Sequence, residues 1–324
     1  MSKIKVGVIG GAGYTAGELL RILVFHPGVE ISFVHSMSNA GNLISDVHNS
    51  LFGDTDLVFT SDVFFDKADV LFLCSAHGDS RKFMNEHQIP ERIKIVDLST
   101  DYRAKSSDHN FVYGLPELNM NAIKNATRIA NPGCFATAIQ LALLPLAAEK
   151  YLTNEIHINA ITGSTGAGVK PSETSHFSWR NNNISVYKPF EHQHLHEIKQ
   201  SLTQLQPDFD KAVNFIPVRG NFTRGIFVTT YVECNLSLEE ARKLYVDFYA
   251  DSAFTFVTTK NPDLKQVVNT NKALIYLEKH GNKLFIISMI DNLLKGASGQ
   301  AVQNMNLMFG LEEKAGLNLK AVGF

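Results

Sequence analysis

Cysteine is scarce in this sequence. Its 324 residues include three, Cys74, Cys134 and Cys234, an odd number at distant positions. A disulfide framework needs an even number of cysteines, and a structural zinc site needs closely spaced ligand pairs. The scarcity therefore excludes a disulfide framework and a cysteine-based metal site, and it predicts free thiols in a reducing compartment.

Long apolar runs and an excess of one charge are also missing. The longest apolar stretch, Leu141–Ala148, contains Pro145 and is too short to span a bilayer. The 30 basic and 32 acidic residues give a formal net charge of -2, and no Lys/Arg run marks a nucleic-acid face. The N-terminus enters a strand pattern directly, so we expect no membrane or secretory signal, a cytoplasmic location and small-molecule partners.

The first third of the chain has the pattern of a strand, a glycine turn and a helix. A buried strand at Lys3–Ile9 precedes the turn Gly10–Gly17, the helical run Glu18–Phe25 and a second strand at Glu30–Val34. This is the G-x-G-x-x-A fingerprint in its required setting, where backbone amides approach a pyrophosphate at a helix N-terminus. The cofactor-binding residues predicted in this turn are Gly10, Gly11, Gly13, Tyr14, Thr15 and Ala16.

The residues after the second strand indicate which dinucleotide is bound. His35–Gly41 supplies hydroxyls and an amide where an NAD-preferring site has a carboxylate. Ser36 and Ser38 can bind a 2′-phosphate without repelling it, so we predict NADP(H). Two further strands, Asp69–Cys74 and Lys94–Leu98, end in polar loops that line the ligand crevice of a parallel sheet, and Ser75 is a further cofactor candidate.

Cys134 follows a Pro-Gly turn and begins an apolar helical pattern. Pro132 and Gly133 prevent an earlier start of the helix, so the thiol is expected in its first turn. Unpaired backbone N–H groups and the helix dipole there favour the thiolate, which lowers the thiol pKa below its ordinary value of about 8.5. The sequence predicts a nucleophile; the alternative is a buried, inert cysteine.

The motifs together resemble one family, the N-acetyl-γ-glutamyl-phosphate reductases, which are the semialdehyde dehydrogenases of the arginine pathway. The resemblance covers nearly the whole chain. The matching segments are Gly10–Leu20, Asp97–Arg103, Tyr113–Glu117, Asn131–Pro145, Thr162–Gly168, His192–His194 and Lys295–Asn304.

The resemblance implies a reaction, the third step of arginine biosynthesis. NADPH reduces an N-acyl-L-glutamyl 5-phosphate, most simply the N-acetyl compound, to the 5-semialdehyde, and phosphate is released. Cys134 would expel the phosphate and form a thioester, which hydride then reduces. Backbone amides at the start of the Cys134 helix, together with Asn131, would hold the oxyanion of each tetrahedral step.

Proton transfer near neutral pH requires a further group, most often histidine. The resemblance assigns it to His192 and His194 without deciding between them, and His196 stands where the family more often has proline. Glu197 follows in the family's pattern and would orient a ring or bind substrate. A zinc site and an exposed histidine cluster are the alternatives; because no cysteine or carboxylate stands at a familiar spacing, we predict no metal.

Substrate contacts are expected from two loops. Arg103 offers the paired donors that suit the substrate's phosphate, although an ion pair with Asp97 or Asp101 is the alternative. The Gly163–Gly168 loop suits an anion or the nicotinamide. The remaining candidates are Ser164 for the substrate, and Gly166 and Asn304 for the cofactor.

The pattern changes after Cys134 to β-rich segments mixed with helices. Predicted strands lie at Ile156–Thr162, Val213–Pro217, Ile226–Cys234 and Leu284–Ile290, and predicted helices at Leu238–Tyr249 and Asn292–Phe309. We therefore expect an α/β Rossmann-type NADP-binding domain, residues 1–133 and 305–324, and an α+β substrate and dimerisation domain with a mixed, largely antiparallel sheet, residues 134–304. The resemblance implies a homodimer or homotetramer.

Departures from the family's pattern leave the acyl group open. Arg219 lies where the family usually differs, and if Arg219 or Lys188 faces the acyl end, an N-succinyl substrate is the alternative. Aspartate-semialdehyde and N-acetylaminoadipate enzymes share the turn and the cysteine. A nicotinamide-binding redox regulator is the non-enzymatic alternative, because Rossmann units are reused without catalysis.

Overall fold

The computed structural model describes residues 3–323, which divide into two compact units. One contains the described residues through Pro132 together with Ala297–Asn318, and the other contains Gly133–Gly296 with the described residues from Leu319 onward. The chain thus enters the second unit at Gly133, next to Cys134. It returns at Ala297, whereas the sequence pattern suggested a return at residue 305.

Strands and helices alternate through the first unit and mix in the second. The strands are β1 Ile4–Ile9, β2 Val29–His35, β3 Phe59–Thr60, β4 Val70–Leu73, β5 Lys94–Asp97, β6 Val112–Tyr113, β7 Arg128–Ala130, β8 Ile156–Thr162, β9 Ser185–Val186, β10 Val213–Arg219, β11 Ile226–Glu233, β12 Thr255–Thr258, β13 Ala273–His280 and β14 Lys283–Ile290. The helices are α1 Tyr14–Leu23, α2 Ile44–Val47, α3 Asp79–Glu86, α4 Pro116–Lys124, α5 Cys134–Ala148, α6 Phe177–Arg180, α7 His194–Leu205, α8 Leu238–Phe248 and α9 Gly299–Met308.

The first unit contains a seven-stranded parallel sheet in the order β3-β2-β1-β4-β5-β7-β6. Strand order reverses between β1 and β4, and in open parallel sheets ligands bind at the carboxyl ends of the strands beside such a reversal. Gly10 follows β1 and Ser75 follows β4 closely in the chain, so both lie at this point. The predicted Rossmann-type fold is confirmed.

The second unit contains a seven-stranded mixed sheet in the order β12-β13-β14-β11-β8-β10-β9. β8 with β10 and β12 with β13 are parallel, and the other four pairings are antiparallel. Alternate residues face opposite sides, so Ile156 and Ile158 of β8 are buried and His157 between them is exposed. This confirms the predicted α+β domain with a largely antiparallel sheet.

Two predicted helices differ from the structure at their ends. α1 begins at Tyr14 rather than at Glu18, because Gly13 already serves as its N-cap in extended conformation. The run Asn292–Phe309 is interrupted: a π-helix at Leu294–Ser298 precedes α9. Within residues 3–323, no helix combines the length and the apolar character needed to cross a membrane.

Helix α5 is almost entirely buried and carries a proline in its interior. Pro145 has no N–H, so the Leu141 carbonyl lacks its normal partner within the helix. The Tyr249 hydroxyl donates to this carbonyl at 2.5 Å, and Tyr245 of α8 donates to the Ala142 carbonyl at 2.5 Å. Two tyrosines thus replace or reinforce backbone bonds around the proline and fix α5, whose first residue is Cys134.

Replacing Tyr249 with phenylalanine should lower the free energy of unfolding by about 1–3 kcal/mol, because the buried Leu141 carbonyl loses its donor. Urea denaturation measures this change. Tyr151→Phe is the control, since Tyr151 is partly exposed and its hydroxyl has no hydrogen bond among residues 3–323. Equal stability of the two variants would contradict this explanation.

Candidate active site

Cys134 is the first residue of α5, as predicted. Gly133 is the N-cap residue in extended conformation, with φ −70° and ψ 153°. The Thr137 amide donates to the Gly133 carbonyl at 2.8 Å, which begins the helical hydrogen-bond pattern. The Cys134 side chain therefore starts at the positive end of a fifteen-residue helix.

Glu197 of α7 holds the turn before Cys134. Its Oε2 accepts a hydrogen bond from the Gly133 amide at 2.9 Å, and its side chain is buried. Its Oε1 lies 3.9 Å from His194 Nε2, so the same carboxylate faces the imidazole. A Cβ at Gly133 would lie 2.3 Å from His194 Nε2, so only glycine permits this approach.

Aromatic rings surround His192 within the second unit. Its ring centroid is 4.6 Å from that of His194, and the rings of Phe135, Phe215 and Tyr187 lie within 5.8 Å. Burial, and next the positive charge of Lys188, lower the pKa of His192 to about 4. The predicted pair His192 and His194 therefore occupies one site, at which His192 is neutral at physiological pH.

Tyr187 and Arg219 connect this site with the thiol. Burial raises the pKa of Tyr187, and a thiolate at Cys134 would raise it further, so the two side chains lie within electrostatic range of each other. The Arg219 guanidinium lies 4.8 Å from the centre of the Tyr187 ring, and its Nη1 donates to Thr174 Oγ1 at 3.3 Å. Arg219 thus contacts Tyr187, whose hydroxyl lies within electrostatic range of Cys134.

Gly296 presses against Cys134 from the π-helix. A Cβ at Gly296 would lie 2.8 Å from the Cys134 Cβ, and the Gly296 amide donates to the Asp291 carbonyl at 2.9 Å. The Asp291 carboxylate accepts two bonds from Arg224, both at 3.1 Å, and one from the Asn269 amide at 2.7 Å. Sequence reasoning missed these positioning residues, although Gly296 stood within a matching segment.

The other two cysteines differ from Cys134. Burial, and next the charge of Asp97, raise the pKa of Cys74 well above its ordinary range, so Cys74 remains a thiol. Cys234 is buried beyond the end of β11. Among residues 3–323, no cluster of three or more His, Cys, Asp or Glu side chains is arranged to hold a metal ion.

The glycine turn of the first unit leaves space for a phosphate group. A Cβ at Gly13 would meet no protein atom within 4 Å, and Gly13 has no side chain to cap the N-terminus of α1. Gly10 has φ +78°, and a Cβ there would lie 2.9 Å from the Ser75 amide and hydroxyl. The predicted residues Tyr14, Thr15 and Ala16 form the first turn of α1, so their amides suit a pyrophosphate.

His48 fixes this turn and was not found by sequence reasoning. Its Nε2 donates to the Gly11 carbonyl at 2.7 Å. A Cβ at Gly17 would lie 2.6 Å from His48 Nδ1, so the ring packs directly on that glycine. The sequence gives little indication of this role, because a single histidine in a loop belongs to no motif of characteristic spacing.

Ser36 and Ser38 are joined by a third side chain that sequence reasoning also missed. Asn39 Nδ2 donates to Ser36 Oγ at 3.2 Å and to Ser38 Oγ at 3.0 Å. Each hydroxyl oxygen accepts one bond and keeps its own hydrogen for an acceptor such as a phosphate oxygen. The arrangement fits a 2′-phosphate.

Asn304 and Asn131 form a buried amide pair in the first unit. Asn304 Nδ2 donates to Asn131 Oδ1 at 3.0 Å and to the Gly114 carbonyl at 2.8 Å. Asn304 Oδ1 is buried without a hydrogen-bond partner among residues 3–323, which suits a donor from the nicotinamide amide. Asn131 Nδ2 donates to the Ala297 carbonyl at 3.0 Å, so one of its two hydrogens ties two segments together, and its role at an oxyanion stays a prediction.

Arg103 is buried, whereas a residue that lines an open ligand crevice is expected to be exposed. It is 7% exposed, and its Nε and Nη2 donate to the carbonyls of Asn131 and Leu98 at 2.8 and 2.9 Å. These donors position the chain before Cys134 instead of facing solvent. Of the two aspartates considered as ion-pair partners, Asp101 accepts from the amides of Gly78 and Arg81, and Asp97 lies within range of the Arg103 charge.

The turn after β8 is braced by a neighbouring segment. The Ser164 amide donates to the Phe222 carbonyl at 2.9 Å, and a Cβ at Gly163 would lie 2.4 Å from the Thr223 carbonyl oxygen. Ser164 is half-buried and Gly166 is exposed. Both remain predicted contact residues of this unit.

Sequence comparison identifies the family. A model described as semialdehyde dehydrogenase, NAD binding domain, matches residues 5–126, and one described as semialdehyde dehydrogenase, dimerisation domain, matches residues 134–292. An N-acetyl-γ-glutamyl-phosphate reductase of Parabacteroides distasonis is 66% identical over 99% of this chain and 100% of that protein. Proteins of that name from Phocaeicola vulgatus and Bacteroides thetaiotaomicron are 65% and 64% identical over the same shares.

The chain belongs to the N-acetyl-γ-glutamyl-phosphate reductase family. This confirms the predicted family, and with it an oxidoreductase that carries a nicotinamide-dinucleotide domain and a dimerisation domain. Solved structures support the fold. An aspartate semialdehyde dehydrogenase II of Vibrio cholerae, complexed with ASA, has a TM-score of 0.75 at 16% identity over 96% of this chain and 99% of that chain. The Candida albicans enzyme with NADP has a TM-score of 0.70 at 15% identity over 97% and 99%.

Gly13→Ala should weaken NADPH binding about tenfold or more without changing thermal stability, because the added methyl group enters phosphate space and meets no protein atom. Fluorescence titration measures the dissociation constant. Gly323→Ala is the matched control, since a Cβ there also meets nothing within 4 Å. Unchanged affinity in Gly13→Ala would remove the turn from the cofactor site.

Proposed function

We propose that this reductase converts N-acetyl-L-glutamyl 5-phosphate to N-acetyl-L-glutamate 5-semialdehyde with NADPH, in the third step of arginine biosynthesis. The observation that carries the proposal is Cys134 at the start of α5 beside the buried pair His194 and Glu197. The family membership and the glycine turn support the same reaction.

Cys134 performs the first chemical step. Its thiolate attacks the acyl carbon, a carbon–sulfur bond forms, and the bond to the phosphate oxygen breaks with its electron pair. Backbone N–H groups of the first turn of α5 hold the oxyanion of the tetrahedral adduct, and removal of one such donor typically costs about 10²–10³ in rate. The product of this step is a thioester on Cys134.

His194 and Glu197 manage the protons of the second half. NADPH, when bound, supplies the hydride that reduces the thioester to a thiohemiacetal. The Glu197 carboxylate, held by the Gly133 amide, faces the His194 imidazole and can balance the positive charge that a transferred proton places on it. His194, which holds the proton lost by the Cys134 thiol, gives this proton to the alkoxide that hydride addition leaves. It takes the proton back when the thiohemiacetal collapses, so that the carbon–sulfur bond breaks, the aldehyde leaves and the thiolate re-forms.

The cofactor is held by residues of the first unit. Amides of the Gly10–Ala16 turn would bind the pyrophosphate, and Ser36, Ser38 and Asn39 would bind the 2′-phosphate. Ser75 lies beside the turn, and Asn304 Oδ1 would accept from the nicotinamide amide. Gly166 stays a predicted cofactor contact.

Substrate contacts come from polar groups around these elements. Ser164 is proposed as a direct contact. Arg103 acts mainly by holding the carbonyl of Asn131. Glu197 acts through Gly133 and His194 rather than on substrate.

The N-succinyl compound is the second candidate substrate, because Arg219 lies beside Tyr187 near the thiol. Arg219 Nε is buried without a hydrogen-bond partner among residues 3–323, and such a group suits a carboxylate. The aspartate and aminoadipate compounds would differ in chain length. We expect a cytoplasmic location, since the reaction consumes NADPH in amino-acid biosynthesis.

The outer face of the second sheet is proposed as the contact between two copies of the chain. Phe227, Leu274, Tyr276 and Phe285 pack there around Val267, Ile287 and Met289 and stay partly exposed. This face is opposite the buried Ile275 and Ile286, as strand alternation requires. A homodimer that buries this face agrees with the dimerisation-domain match.

Phosphate-dependent reduction of NADP⁺ by N-acetylglutamate semialdehyde tests the reaction in reverse. Cys134→Ala should lower the rate by about 10³-fold or more, since the nucleophile is lost. Cys234→Ala, also in the second unit, is the control and should keep the wild-type rate. Turnover of only the N-succinyl analogue would show that the substrate carries an N-succinyl group instead of an N-acetyl group. No turnover with either, despite NADPH binding, would favour the redox regulator.

Phe285→Asp should convert the assembly to monomers, because a charge on the outer sheet face opposes burial. Analytical ultracentrifugation measures the change. Val246→Asp is the control, since Val246 is 52% exposed on α8 rather than on the outer sheet face. If Phe285→Asp keeps the oligomeric state of the wild type, the contact between copies does not involve the outer sheet face.

A further inference from the structure

His192 is fixed by the backbone at the start of α7. The His194 amide donates to His192 Nδ1 at 3.2 Å, and the Leu195 amide donates to the His192 carbonyl at 3.0 Å. The imidazole thus accepts a hydrogen bond from the first amide of α7, which fixes the ring against the helix. The bond to Nδ1 uses the lone pair of that nitrogen.

The capping bond determines the tautomer of the neutral ring. An N–H donor faces Nδ1, so the proton of neutral His192 must be on Nε2. The side chain is 7% exposed, and Nε2 has no hydrogen-bond partner among residues 3–323. His192 therefore presents one N–H of a largely buried ring that can bind a ligand acceptor.

The surroundings of the ring keep it neutral. Phe135 of α5 and Phe215 of β10 are apolar, the rings of Tyr187 and His194 pack against the imidazole, and Glu197 is the nearby anion. Burial and the Lys188 charge outweigh Glu197 and lower the pKa of His192 to about 4. Protonation at Nδ1 would also break the bond from the His194 amide.

The backbone holds Lys188 in this position. Lys188 and Phe190 have φ of +45° and +63°, in the left-handed region that non-glycine residues rarely adopt. The segment is tied to β10 by bonds from the Tyr187 amide to the Pro217 carbonyl and from the Phe190 amide to the Phe215 carbonyl, at 3.1 and 2.9 Å. Such strained residues cluster at functional sites.

We propose that His192 is a fixed neutral hydrogen-bond donor to an anionic oxygen of the bound acyl phosphate or its tetrahedral adduct, with Lys188 adding positive charge. His192 gains and loses no proton during the reaction. A ring whose Nδ1 lone pair is engaged and whose Nε2 is protonated is a poor base, and neutral imidazole is a very weak acid. Proton transfer is therefore left to His194. This inference rests on the proposed function for its substrate.

The pH dependence of kcat/KM tests this role. His192→Gln keeps a neutral N–H donor, so we expect a loss of about 10-fold, against about 10²–10³-fold for His192→Ala. Every inflection of the wild-type profile should remain in His192→Gln. His196→Gln, an exposed residue of the same helix, is the control and should match the wild type. Loss of an inflection in His192→Gln would overturn the proposal.

Nitrogen-15 NMR of histidine-labelled protein tests the tautomer without catalysis. The signal absent from His192→Gln should be that of a neutral ring protonated on Nε2, with no titration between about pH 8 and about pH 5. An Nδ1-protonated ring, or titration in that range, would overturn the proposal. Absence of turnover in the wild type would instead overturn the proposed function, and the NMR result would still decide the state of His192.

Discussion

The hydrogen bond from the Gly133 amide to the Glu197 carboxylate is the constraint on which the site depends. It joins the N-terminus of α5, which carries Cys134, to the first turn of α7, which carries His194. Because Glu197 binds the amide of the N-cap residue, the turn that precedes Cys134 is fixed to α7. The same carboxylate faces His194, so one side chain sets both the turn and the imidazole.

Close backbone approach completes the arrangement around the thiol. Gly133 admits the His194 ring and Gly296 admits the Cys134 side chain, and a methyl group at either position would collide. The Arg224–Asp291 ion pair holds the segment before Gly296, and the two tyrosine hydroxyls hold α5 around Pro145. The position of the Cys134 sulfur is thus fixed by contacts with residues that are distant from Cys134 in the sequence.

The sequence predicted those features that local chemistry determines. The glycine turn, the helix beginning at Cys134 and the mixed second sheet follow from short patterns, and the structure contains them. The contact of Gly133 with Glu197 joins residues 64 positions apart, and the contacts of Gly296 and His48 are also non-local. Arg103 shows what local patterns cannot predict. Its position in a loop after β5 follows from the sequence, but its burial and its carbonyl partners depend on tertiary packing.

A single-turnover experiment without phosphate tests the central claim, that Cys134 forms the thioester. N-acetylglutamate semialdehyde and NADP⁺ should give a burst of one NADPH per subunit, and intact-protein mass spectrometry should locate the acyl group on Cys134. Phosphate added afterwards should release the acyl group as the acyl phosphate and restore the free thiol. A phosphate-dependent turnover without any acyl-enzyme, or an acyl group on another residue, would contradict the account.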